Sequence, residues 1–197
     1  MTAVVMLRIS LVCVFLSSFQ GQDARPDKQP ADPISQLAAK YLIQIVSENE
    51  PFPVKTTGGA INGRLATPAE LEAYVPLFLF EFNLYPPTLV KNAKLKRIVL
   101  CKELSYDGQI RNAVPDLLHD TLYLEVVRGM GHNSYMRKVI HHEFFHMIDF
   151  RDDGLLYKDD AWSALNPAGF SYGTGGRNAQ NDATVSLLND AVPGFLN

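Results

Sequence analysis

The chain has 197 residues, 47% hydrophobic and 20% charged, with 18 Lys+Arg against 21 Asp+Glu and a formal net charge of −3. This is ordinary globular composition, which excludes a disordered tail protein, a collagen-like repeat and a disulfide-rich miniprotein. There is no basic excess to meet phosphates, so nucleic-acid binding is not expected.

The N-terminus sets Arg8 before a short apolar run, Ile9 to Leu16, followed by Ser17 and Ser18. That is the layout of a secretory signal peptide. The run is shorter than the roughly 20 residues a membrane span needs. The next stretch holds Pro26, Pro30 and Pro33 and almost nothing apolar, so it reads as a linker. The expected organisation is a signal peptide over 1–22, a flexible linker over 23–33 and one domain over 34–197. The expected location is secreted or periplasmic, with no stable membrane span after signal removal. Cleavage would remove Cys13. Cys101, inside the run Ile98-Val-Leu-Cys101, is expected to be a small buried hydrophobe.

Apolar Ile34, Leu37, Ala38, Tyr41, Leu42 and Ile45 recur at three- and four-residue steps, which predicts a helix over 34–46. Thr67-Pro68-Ala69-Glu70 is a helix start, with Thr67 as N-cap, Pro68 in the first turn and Glu70 completing a capping box. That helix should reach Phe82 and be broken by Pro86-Pro87. Residues 96–102 are rich in β-branched side chains and predict a strand. Asp107-Gly108 marks a turn, with 109–114 as the hairpin partner. A second strand is expected over 121–127. A helix capped by Asn133 or Ser134 should follow over 135–150, then a turn at Arg151-Asp-Asp-Gly154. Residues 155–180 lack periodicity and read as a long irregular loop, with a short helix at 183–189. This order of elements predicts an α+β domain.

The helix over 135–150 contains His142-Glu143-Phe144-Phe145-His146, an H-E-x-x-H pattern. Residues four apart share one helical face, so both imidazoles can reach a single Zn²⁺. Glu143 projects beside that face. It is too offset to be a good ligand, but it can take a proton from a zinc-activated water. Val139, Ile140, Phe144, Met147 and Ile148 are expected to bury the opposite face.

The run His-His-Glu-Phe-Phe-His-Met-Ile-Asp over 141–149 resembles the active-site helix of the zincin superfamily of metallopeptidases. The resemblance covers this helix and the strand before it, a minority of the chain. It implies a zincin-like α+β fold with a small mixed sheet. It also implies zinc as cofactor, His142 and His146 as metal ligands, Glu143 as general base and a peptide or protein as substrate. The strand over 121–127 would be the edge strand that pairs with extended substrate.

A catalytic zinc site takes three protein ligands. Gluzincin-like enzymes supply the third from a glutamate on a later helix, and this chain has no glutamate after Glu143. The metzincin-like spacing ends at Asp152, but Asp149 stands at the glycine position. The aspzincin-like option has Gly173-Thr174 without fitting neighbours, and Asp182 is distant. The preferred expectation is a gluzincin-type chain whose third ligand lies beyond Asn197, with Asp152 as the runner-up. Asp149 is expected to orient a ligand or cap the helix end. His141 is expected to be packed or on the surface, and His119 and His132 to stand alone near turns, with support of a metal ligand as their alternative role. Tyr157 and Tyr172 are expected mainly to pack, with oxyanion stabilisation as the alternative, and Trp162 to anchor the loop.

The expected activity is peptide-bond hydrolysis by a secreted zinc metallopeptidase. The alternative is a catalytically inactive secreted zinc-binding or protein-binding domain with an incomplete zincin site.

Overall fold

The computed structural model describes residues 32–155 and 160–167. The signal peptide, nearly all of the linker, Tyr157, Tyr172, Gly173-Thr174, Asp182 and the helix expected at 183–189 lie outside them.

The chain opens with α1 (Pro33–Tyr41), capped by the Asp32 carboxylate, which accepts from the amides of Ile34 and Ser35. It ends five residues earlier than the apolar spacing predicts. Leu42 takes a left-handed conformation (φ 56°), and Gln44–Val46 form a strand, β1. The β-branched Ile45 and Val46 pair in parallel with a later strand, and that long-range pairing overrides the helical spacing. Two strands follow, β2 (Val54–Lys55) and β3 (Ala60–Leu65).

Helix α2 (Pro68–Phe82) begins with the expected capping box. The Glu70 amide donates to Thr67 Oγ1 at 3.3 Å, and the Thr67 amide donates to Glu70 Oε2 at 2.7 Å. Pro86-Pro87 ends the helical path, and Pro87 at once starts a short helix, α3 (Pro87–Asn92). Proline fits a first helical turn because the amide it lacks has no partner there.

Strand β4 (Arg97–Tyr106) is longer than the expected 96–102 and is the spine of the sheet. The turn after it has φ of 47° at Asp107 and 74° at Gly108, the left-handed pair a tight hairpin needs. The hairpin partner is only β5 (Gln109–Ile110). The rest of the segment expected to pair there becomes β6 (Ala113–Asp116), which joins β7 (Thr121–Glu125) instead.

Among the described residues the sheet is mixed. Its path runs β2-β3-β4-β7-β6, with β1 and β3 sharing one side of β4. Strands β4 and β7 are parallel, and β6 is antiparallel to β7. Thus β7 is an interior strand rather than the expected edge. On that side of the sheet the edge among the described residues is β6, four residues long and containing Pro115, whose missing amide is tolerated at a sheet margin.

Alternation decides the two faces. Ile98, Leu100, Leu122 and Leu124 face the helices, while Val99, Cys101 and Tyr123 face a smaller core with Ile61 and Val114. Both faces are covered, which is why β4 and β7 read as continuous apolar runs. Cys101 is fully buried, as expected.

Helix α4 (Asn133–Asp153) packs on the helix-side face. His132 occupies the N-cap without a side-chain bond, so the caps expected at Asn133 or Ser134 are not used. The helix runs three residues past Phe150 and ends on Gly154, left-handed at φ 79°. Among the described residues of the expected irregular loop, Asp160–Leu165 form a short helix, α5. This mixed architecture of helices on a small mixed sheet is compatible with the α+β class read from the sequence.

Candidate metal centre

Helix α4 turns one face to the core and the other outward. Met136, Ile140, Phe144 and Met147 are buried, and Val139 and Ile148 pack against the same cluster. Phe144 meets the rings of Phe82 at 5.6 Å and Tyr85 at 4.8 Å. That packing fixes which residues are left on the free face.

His142 is exposed and His146 half-buried, one helical turn apart. Their Nε2 atoms converge to 3.2 Å, with the rings nearly perpendicular. Two ligand nitrogens at 2.0–2.1 Å from one tetrahedral zinc would stand about 3.3 Å apart. The separation of the two nitrogens, close enough here for a hydrogen bond between the rings, is also that of two ligands sharing one divalent metal. Burial, and after it the neighbouring His142 ring, lowers the pKa of His146, which favours the neutral form a metal needs.

Glu143 lies half-buried beside the pair. Burial pushes its carboxyl up to about 7, partly opposed by the Arg111 charge. It has no hydrogen-bond partner among the described residues. A carboxyl poised in this range can take and return a proton near neutral pH.

The third ligand is not brought to this pair. Among the described residues no group of three His, Cys, Asp or Glu is placed to hold a metal. Asp152 fails because the helix does not turn at Asp149. It continues to Asp153. Six residues of α-helix carry Asp152 about 9 Å along the axis from His146 and about 120° around it. There it lines a cavity of about 300 Å³ with Leu89, Ala93 and Ile148. Asp149, one turn beyond His146, lines the same cavity.

The remaining histidines are separate from the pair. His119 Nδ1 bonds the buried Asp116 carboxylate at 2.6 Å in the loop between β6 and β7. His132 is exposed at the start of α4. His141 is half-buried on the back of α4, where Nε2 meets Glu81 Oε2 at 2.9 Å and Nδ1 meets the Tyr85 hydroxyl.

Two contributors were not legible in the sequence. Arg111, between β5 and β6, acts on Glu143 across the fold, and no local pattern announces it. Glu81 had a weak signal, as the one carboxylate in the apolar run Tyr74–Phe82.

Comparison of the chain with family models, curated proteins and solved structures gave no match.

Proposed function

We propose that the chain is a zincin-like zinc metallopeptidase, exported from the cytoplasm, that hydrolyses peptide bonds. The observation that carries this reading is the 3.2 Å approach of the His142 and His146 Nε2 atoms beside Glu143 on an outward helical face. His142 and His146 would hold the zinc. When bound, the metal supplies a Lewis acid that polarises the scissile carbonyl and acidifies a water. Glu143 accepts the proton from the attacking water and returns it to the leaving amine. Strand β6 is the edge beside α4, so an extended peptide added there would lie along the site. Among the described residues no helix is long and apolar enough to cross a membrane.

A second reading is a zinc-binding or protein-binding domain without turnover. It is favoured by the lack of a third ligand among the described residues. Metal analysis together with cleavage of a quenched peptide library separates the two. One zinc per chain, with turnover lost in Glu143→Gln, supports the peptidase. One zinc without turnover in the native chain supports the second reading. Absence of bound zinc at saturating metal removes the peptidase and the zinc-binding domain and leaves the protein-binding domain.

A further inference from the structure

Helices α2 and α4 pack on one another, with Phe82 against Phe144, and Tyr74, Phe78, Phe82, Ile140, Phe144 and Met147 all belong to one apolar cluster. One group breaks the pattern. Glu81, 5% exposed, carries its carboxylate into this interface. Oε1 pairs with Arg137 and Oε2 with His141 Nε2 at 2.9 Å. Arg137 and His141 are four residues apart, so the carboxylate grips two successive turns of α4 on one side. The far nitrogen of His141 meets the Tyr85 hydroxyl, and Tyr85 also packs on Phe144.

Glu81 is buried while Arg137 and His141 are partly exposed, and such a pair is weak support for stability, because desolvation of the carboxylate offsets much of the screened attraction. Its distinctive property is direction. Apolar ridges can repack after a small rotation or slip, whereas three polar bonds from fixed points cannot. The residue after His141 is His142, about 100° further round the helix. The rotation of α4 about its axis thus sets where His142, Glu143 and His146 face relative to β6.

We propose that Glu81 is a positioning residue that locks the rotational register of α4 and so aims the histidine pair and Glu143 at the β6 edge. The activity arm of its test rests on the peptidase reading. The side-chain partners of Glu81 are Arg137 and His141, neither of them a proposed ligand or base. It acts through Arg137 and His141.

The test compares native full-length protein with a triple variant, Glu81→Met, Tyr85→Phe and His141→Leu, which removes the polar clamp and leaves no orphaned partner on His141. Glu81→Gln, which keeps the shape and one acceptor, is the second variant should the triple one not fold. Measurements are Tm, amide exchange along 137–146, and kcat and KM on a cleaved peptide with zinc saturating. The positioning role predicts a Tm no lower than native and exchange in this segment faster by about tenfold. It predicts a kcat lower by about 10- to 100-fold with KM within about threefold. Loss of Tm in step with loss of activity would show a merely structural role and overturn the proposal. Unchanged exchange with unchanged kcat would overturn it as well. If the native protein cleaves nothing, the peptidase reading fails by itself, and the exchange measurement alone then decides whether Glu81 locks α4.

Discussion

The Nε2 atoms of His142 and His146 stand 3.2 Å apart on a face of α4 that the core leaves free. The packing of Phe144 and Met147 fixes the helix, and the four-residue spacing does the rest. Each histidine replaced by alanine should lower zinc affinity by at least about 100-fold, since loss even of an indirect partner costs about 10- to 100-fold. Competition titration with a chelating dye reads this directly. In native protein, zinc at about 100 times its dissociation constant should raise stability by about 2.7 kcal/mol. In the double variant that increment should vanish.

Glu143→Gln should retain zinc, because the proposed ligands are His142 and His146. It should lose about 10²- to 10⁴-fold in kcat, the usual contribution of a positioned general base. Parallel metal analysis and peptide cleavage check both halves. Full turnover in the glutamine variant would sink the proton-transfer role.

Stability should fall on acidification through Glu70. Its carboxyl sits at about 2 against an ordinary 4.5, held down first by hydrogen bonding to Lys102 and then by the Thr67 amide. A lowered folded-state pKa means the contribution is present above about pH 4.5 and is lost as pH falls toward 2. Glutamine also serves in a capping box, so Glu70→Gln isolates the charge. The Tm gap between native protein and this variant should be open at pH 6 and closed near pH 2.

Cys101 should be chemically silent in the folded protein. The thiol is fully buried, and burial, then the Glu125 charge, pushes it up to about 12. Iodoacetamide at pH 8 should leave Cys101 unmodified in native protein and alkylate it fully in guanidinium, as read by peptide mass mapping.

Phe144→Ala should destabilise by about 3–5 kcal/mol, the cost of emptying a fully buried aromatic site. Urea unfolding measures it. Zinc affinity of the fraction that remains folded should change little, because the proposed ligands lie on the opposite face.

Local chemistry was readable along the chain, and long-range pairing was not. The Thr67–Glu70 capping box, the Asp107-Gly108 turn and the H-E-x-x-H spacing each depend on residues within a few positions of one another. The sequence signal for each is therefore the interaction itself. The end of α1 is not legible locally because Ile45 continues the helical spacing, and only the parallel partner Ile98, far along the chain, shows that it belongs to a strand. The split at Arg111 and Asn112 between β5 and β6 has the same cause: β7 competes for 113–116. The order of strands, which moves the edge from β7 to β6, depends on those distant pairings. The Glu81 clamp joins residues up to 60 positions apart, so at sequence level it shows only as one charge out of place.

Strand β6 has one further consequence. It offers four residues of free edge and interrupts them with Pro115. A margin that short, missing one donor, is a poor template for open-ended joining of sheets between copies of the protein. A single extended segment can lie against it and leave again, while a growing fibre finds too little to hold. The same strand can thus be open to a passing chain and still give little purchase to open-ended joining at this margin of the sheet.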